Sequence, residues 1–402
     1  MRYFSFSSLV LVLTLFLALF SSKSPAQDSI NLWFTDGELE RVLQKLSEQF
    51  TEQNGGVQVN VVNLPNEELK ASIVRTVRND LAPDIAVFTS DNTAYAPMMK
   101  LSSFDASQLN PYWDESILES LAFNGRIHGL PLQRSNRLLM FYNKALVQFP
   151  AREWETLLEQ APDLLTRNLL PVGVLYDEPY WFAHFATHFS AQFTLNDRPT
   201  LNTLEMAESL KFFKQLVDAQ VIRNDCGYDC VSKDFYQGKV AYALNGVWAI
   251  NEAAEALGND LGITPLPTLD GRAMKALTSI VMLTFPNDSW HGPNQKVIRA
   301  FAKFLRTEQA QIEIAIATKM LPINLQWLTD EIRTELHADQ LSLTDENHYM
   351  PATLSYIAMW NGMKKGLVLH SNEHLNAIDA AQYMQKVTLE NQQRLVEMVN
   401  LP

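Results

Sequence analysis

The chain has 402 residues, too many for one small hydrophobic core, so two lobes or domains are expected. Its 47% hydrophobic and 19% charged content is that of an ordinary globular protein. A formal charge of −13 disfavours nucleic acid as a partner, because phosphate binding needs a basic surface.

The first residues have an export pattern. Arg2 precedes the apolar stretch Leu9–Phe20, and a small-residue site follows at Ala26. Residues 1–26 therefore read as a cleavable signal peptide, too short and wrongly flanked for a membrane span. Its removal takes away Arg2 and Lys23 and leaves a charge of −15. No cysteine lies near the junction, which argues against a lipid anchor.

After that segment, Ile30–Thr35 is strand-like. Leu39, Val42, Leu43, Leu46 and Phe50 then recur at helical spacing, and Gly55–Gly56 ends the helix. Val57, Val59 and Val61 alternate as in a strand, Glu67–Asn79 reads as a helix, and Pro83–Ser90 as a third strand. Strand, helix, strand, helix, strand at this spacing predicts βαβ units. Further strands are expected at Pro171–Tyr176, Lys239–Asn245 and Ala276–Phe285, and helices at Leu204–Ala219 and Lys296–Ala317. There is no repeat, low-complexity tract or flexible linker.

Only Cys226 and Cys230 are present, and in an oxidising compartment they are expected to form a short local disulfide. Free thiols are the alternative; a metal site lacks a nearby histidine or third thiol. Catalytic signatures are missing: the sequence has no nucleophile elbow, P-loop or dinucleotide fingerprint. His184 and His188 stand four apart on a helix without the glutamate of a zinc protease, and read as partly buried helix residues. Neighbouring carboxylates such as Asp36 with Glu38 do not by themselves make the facing pair that sugar cleavage needs.

What stands out is the chemistry at the strand exits, where open α/β sheets bind ligands. Asp36 and Glu38 follow the first strand, Phe88, Asp91 and Asn92 the third, Glu178, Tyr180 and Trp181 a later one, and Trp248 follows Asn245-Gly246. Flat apolar rings beside carboxylates and amides suit a ligand with apolar faces and a rim of hydroxyls, such as a sugar ring.

Several stretches carry a family likeness: PDIAVF at 83–88, FNGRIHGLPL and LLMFYNKAL within 123–146, GKVAYALNGVWAI at 238–250, IRAFAKFLRTEQAQ around Phe301, and MLPIN at 320–324. Together they span most of the chain after the signal segment, and they resemble the solute-binding proteins of sugar ABC importers. EPY at 178–180, NGVWA around Trp248 and MPATLSYIAMW ending at Trp360 resemble the maltose/maltodextrin-binding group. The resemblance implies an α/β, two-lobed periplasmic-binding-protein fold, each lobe a mainly parallel sheet flanked by helices, with a ligand cleft between. It implies lobe 1 at 27–134 plus 283–329, lobe 2 at 139–277 plus 336–402, and hinge crossovers at 135–138, 278–282 and 330–335. It also implies stacking by Tyr180, Trp248 and Trp360, a wall at Phe88, and hydroxyl recognition by Asp36, Asp91 and Glu178.

Asn92 stands where the group has an arginine, Asn136 where it has an acid, and the group's basic residue after the first strand is not evident around Glu38. These departures leave other solutes open: another oligosaccharide, a polyol or a sugar phosphate. The implied partners are the sugar and the permease subunits of an inner-membrane importer, with the protein a periplasmic monomer needing no cofactor. A ligand sensor that signals instead of transporting is the alternative from another class.

Overall fold

The computed structural model describes residues 29–399 except 36, 107–108, 110–114 and 337–347. The expected signal peptide, residues 1–26, lies outside the described residues. In β1 (Ser29–Phe34) Ile30, Leu32 and Phe34 are fully buried while Ser29 and Asn31 face solvent, the alternation of a half-buried strand. Helix α1 (Gly37–Gln53) buries the apolar stripe Leu39, Val42, Leu43, Leu46 and Phe50. Each such side chain contributes roughly 1.5–3 kcal/mol on burial. Gly55 and Gly56 turn the chain out of the helix at φ 69° and 87°, where a side chain would be strained.

Strand β2 (Gln58–Asn63), helix α2 (Asn66–Val77) and strand β3 (Ile85–Thr89) complete the predicted βαβ run. The remaining strands of the two main sheets are β4 (Leu130–Asn136), β5 (Leu138–Asn143), β6 (Leu170–Gly173), β7 (Val240–Gly246), β8 (Leu261–Thr264), β9 (Leu277–Thr284), β10 (Leu321–Pro322) and β11 (His348–Tyr349). Two short two-stranded ribbons, Ala122–Phe123 with Arg126–Ile127 and Thr194–Leu195 with Arg198–Pro199, stand apart from them. The longer helices that follow α2 are α3 (Trp154–Thr166), α4 (Pro179–His188), α5 (Leu204–Asp218), α6 (Ile250–Leu257), α7 (Gln295–Leu305), α8 (Glu308–Thr318), α9 (Leu354–Ser371) and α10 (Ala377–Val399).

Strands β1–β11 form one main sheet per lobe. The first runs β2-β1-β3-β9-β4-β10, with β11 alongside β9; the second runs β8-β5-β7-β6. β1 pairs in parallel with β2 and β3, and β7 with β6. The return strands run antiparallel: β9 against β3 and β4, and β5 against β7 and β8. One core, around Leu32, Ile85 and Phe301, extends onto one face of the second sheet through Leu139, Phe141 and Val240; the other lies around Trp154, Phe182 and Phe213.

The sheets hand the chain over abruptly. β4 ends at Asn136 and β5 begins at Leu138, so the buried Arg137 alone links them. Residues 278–282, expected as a crossover, lie in β9, whose first residue Leu277 belongs to the second core while Ile280–Leu283 belong to the first. The chain leaves the second sheet after Thr264 and enters the first along β9. Residues 330–335 form a short helix whose first turn is capped by the Thr329 side chain.

The single helix expected over Lys296–Ala317 is two. Thr307 accepts a hydrogen bond from the Ala310 N–H and starts α8 afresh after α7, as an N-cap threonine does. Near the C-terminus Gly362 and Gly366, one turn apart on α9, let α10 approach: a Cβ at either would overlap Thr388 or Met384. Cys226 and Cys230 are joined by a disulfide. Among the described residues no helix is long and apolar enough to cross a membrane.

Candidate ligand-binding site

Strand β7 ends in Asn245-Gly246, and the 3₁₀ turn Val247–Ala249 carries Trp248 beyond it. Asn245 is fully buried and fixes this corner twice. Its side-chain amide donates to the Val231 carbonyl at 3.1 Å, and its Oδ1 accepts from the Gly246 N–H at 2.8 Å. Trp248 itself is half-buried. The turn at 178–180 faces it. Glu178 precedes the first turn of α4 and Pro179 opens the helix, where its missing N–H costs nothing. Trp181 is tied down by an indole N–H donating to the Leu244 carbonyl at 2.8 Å.

Tyr180 stands at the centre of the aromatic group. Its ring centroid lies 6.5 Å from Trp248, 6.3 Å from Trp360 on α9 and 5.8 Å from Trp181. Its hydroxyl is already committed, donating to the Leu277 carbonyl at 2.9 Å. Burial holds its phenol pKa well above the ordinary value.

The opposing wall comes from the turn Ser90–Tyr95 after β3. Phe88 is buried at the strand end. Asp91 presents two different oxygens: Oδ2 accepts from the Asn92 amide at 3.2 Å, while Oδ1 is sealed from solvent and makes no hydrogen bond. The Asp91 residue keeps some surface, but its carboxyl is inside, and the desolvation raises its pKa against the opposing effects of the Thr89 side chain and Lys70. Asn92, nearly buried, also donates to Thr89 Oγ1 at 2.9 Å. Glu38 is spent on holding the lobes together: its Oε2 accepts from Asn251 of α6 at 3.2 Å, and the same amide reaches the Ala317 carbonyl.

Between these walls lies a cavity of about 320 Å³, within the size range of small-molecule sites. Lys70, Asn92 and Tyr95 line it from one side, and Glu178, Trp360 and Lys364 from the other. Lys364 Nζ lies 3.8 Å from Glu178 and 4.0 Å from Asp177, an exposed arrangement that adds little stability. Behind Tyr180 the buried Arg137 guanidinium has its pKa lowered to about 10 by desolvation, which leaves it charged at neutral pH.

The structure thus places Asn92, Glu178 and Trp360 on the cavity, Tyr180 and Trp248 in the ring group that includes Trp360, and Asp91 in the turn that carries Asn92; Phe88 belongs to the core of the first sheet, and Glu38 lies at the lobe contact. Asp36 and the Asn136 side chain lie outside the described residues. Sequence reasoning missed Lys70, Tyr95 and Lys364, which line the cavity, and Tyr356, buried edge-on against Trp360. For Tyr356 a signal existed, since it precedes Trp360 by one helical turn and shares its face.

His184 is fully buried, more than a partly buried helix residue. Its ring donates from Nδ1 to the Tyr180 carbonyl at 2.8 Å and accepts from the Leu277 N–H at Nε2, 3.3 Å away. Both ring nitrogens are occupied, and burial lowers its pKa to about 4. His188 faces Arg272 at 3.3 Å. Among the described residues no group of three or more histidine, cysteine or acidic side chains is placed to hold a metal.

The family model described as bacterial extracellular solute-binding protein matches residues 45–338, more than half of the chain. The chain belongs to this family. As an extracellular solute-binding protein it is a carrier and not an enzyme, and its place of action is secreted or periplasmic.

Solved structures share the whole architecture. The maltose/maltodextrin-binding domain MalE from Bdellovibrio bacteriovorus, bound to maltotriose, matches with a TM-score of 0.81 at 22% identity, over 91% of this chain and 100% of that one. The GacH receptor of Streptomyces glaucescens, solved unliganded and with acarbose and an acarbose homolog, gives 0.79 at 18% identity over 91% and 99%. A cyclo/maltodextrin-binding protein complexed with maltotetraose gives 0.74 at 19% identity over 92% and 98%. At these identities the likeness shows a two-lobed binding-protein fold.

Proposed function

We propose that this solute-binding protein captures a sugar, an oligosaccharide of the maltose/maltodextrin kind, between its lobes and delivers it to the permease of an ABC importer. The observation that carries this reading is the aromatic group of Tyr180, Trp248 and Trp360 on one side of a cavity and the Asp91–Asn92 turn on the other. Rings stack on the apolar faces of a sugar, and carboxylate and amide groups bind its hydroxyls. The three structural neighbours, solved with maltotriose, acarbose or maltotetraose, support the same class. The apolar pattern of residues 1–26 supports export through a signal peptide to the periplasm.

The magnitudes are adequate. Micromolar binding requires about −8 kcal/mol. Two or three aromatic faces at roughly 1.5–3 kcal/mol each, with several hydrogen bonds of about 1 kcal/mol net, supply that and the ordering cost. Closure follows because a ligand touching both lobes binds the closed form better, which is the only way binding can drive it. Arg137, the lone residue between β4 and β5, and the passage of β9 from Leu277 to Ile280 are the segments about which the lobes would turn.

Lys70 and Lys364 on the cavity wall favour a second reading within this class, a sugar bearing an anionic group. Titration calorimetry against maltose, maltotriose and longer maltodextrins, with cello- and xylo-oligosaccharides and a sugar phosphate as comparators, tests both. Micromolar heats with the maltodextrins support the first reading. Binding confined to the phosphate supports the second, and silence across the panel removes the sugar assignment.

A further inference from the structure

Most buried polar groups find a hydrogen-bond partner, and one left unpaired costs about 1–3 kcal/mol. Two that are sealed here without a partner, Asp91 Oδ1 and the Tyr356 hydroxyl, come from opposite lobes. Tyr356 is only 2% exposed. It sits in the first turn of α9, where its N–H donates to the capping Thr353 side chain. Its ring is held edge-on by Trp360 at 5.5 Å and Phe193 at 6.2 Å. The residues on the same helix face, Ile357 and Trp360, line the cavity.

Asp91 and Tyr180 are the groups that act electrostatically on the Tyr356 phenol. Both are otherwise partly engaged. The Tyr180 hydroxyl donates to the Leu277 carbonyl, and Asp91 Oδ2 receives the Asn92 amide. Among the described residues the Asp91 Oδ1 acceptor of the first lobe and the Tyr356 O–H of the second both lack a partner, as does Thr278 Oγ1 in β9.

We propose that Tyr356 is a ligand-recognition residue that works with Asp91 on a single ligand hydroxyl. The phenol donates to the hydroxyl oxygen while the hydroxyl's own proton goes to Asp91 Oδ1. A hydroxyl both donates and accepts, so it satisfies the two groups together. A ligand carboxylate or phosphate at this spot would meet the Asp91 charge and offer it no proton. One group per lobe makes closure depend on that hydroxyl. This inference rests on the sugar reading above.

The test is titration of maltotriose into the wild type, Tyr356→Phe, Asp91→Asn and the double variant, with a thermal melt of each. Tyr356→Phe removes one oxygen that has no protein partner, so its melting temperature should equal or exceed that of the wild type. Its affinity should fall roughly ten-fold, the loss of one buried hydrogen bond. The double variant should bind little worse than Asp91→Asn alone, because the two groups share one hydroxyl. Wild-type affinity in Tyr356→Phe overturns the inference, as do strictly additive losses, or a lowered melting temperature that marks the phenol as a structural group. Wild-type protein that binds none of the panel sugars overturns the sugar reading, and this inference with it.

Discussion

Gly246 lies directly beneath the six-membered ring of Trp248: a Cβ at 246 would overlap the indole. The backbone there is extended, at φ −87° and ψ 165°, so glycine is needed for close approach and not for a special conformation. This explains why an Asn-Gly pair ends a buried strand that is followed by a tryptophan. Asn245 bonds the corner to Val231, and Gly246 lets the ring fold back toward Tyr180.

Gly246→Ala should therefore push the ring off its seat while leaving the tryptophan in the sequence. Maltotriose affinity should drop by roughly ten-fold or more, the value of one stacking face. Calorimetry reads the affinity, and tryptophan fluorescence reads the displaced ring. Unchanged affinity would separate Trp248 from the ligand.

The strand exits were legible in the sequence because βαβ periodicity places them on one edge, and the residue types at that edge differ from core types. The Glu178-Pro179-Tyr180 turn and the Asn245–Trp248 corner were readable for the same reason. Other features depend on packing that no local pattern reports. β9 reads as a continuous apolar strand whichever sheet receives it, so its passage from the second core at Leu277 to the first at Ile280 shows only in the packing. The break between α7 and α8 rests on Thr307 alone, between two apolar-periodic segments. The isolation of the Tyr356 hydroxyl arises only when α9 docks against the Ser90–Tyr95 turn.

Asp91 sets stability against binding. Burial raises its pKa above the ordinary 3.8, so the folded protein holds that proton more tightly than the unfolded chain does. From pH 3.8 upward the unfolded chain loses the proton first, and stability from this group falls as pH climbs through the raised value. Asp91→Asn should melt at a higher temperature than the wild type at neutral pH, yet bind maltotriose more weakly. A lower melting temperature with weaker binding would instead make the carboxylate a structural acceptor.

His184 works in the opposite sense. Its pKa is lowered from 6.5 to about 4, so the unfolded chain takes up a proton in that window while the folded protein does not. The contribution is intact above pH 6.5 and is lost as pH falls toward 4, on the order of 3 kcal/mol over that range. Chemical denaturation at pH 7 and at pH 4.5 should show this loss in the wild type. In His184→Gln, destabilised at pH 7, the acid dependence should be shallower. Equal slopes in the two proteins would assign the acid sensitivity elsewhere.

The disulfide braces the segment behind the site. The Cys226 carbonyl accepts from the Tyr176 N–H at 3.2 Å, just before the Glu178 turn, and Val231, next to Cys230, holds Asn245. So short a loop contributes roughly 2 kcal/mol at most. A Cys226→Ser/Cys230→Ser protein should melt a few degrees lower, by about 1–2 °C per kcal/mol in a chain of this size. Thermal melts with and without a reducing agent check this, and a reduced wild type that melts like the oxidised one would contradict it.

The central claim is that the rings around Tyr180 stack on a sugar held between the lobes. Calorimetric titration of maltotriose into the exported form of the protein, beside Trp248→Ala and Trp360→Ala, tests it most directly. Micromolar binding by the wild type, with each variant weakened at least ten-fold at near-native melting temperature, is the expected result. Wild-type binding that survives both substitutions would contradict the account.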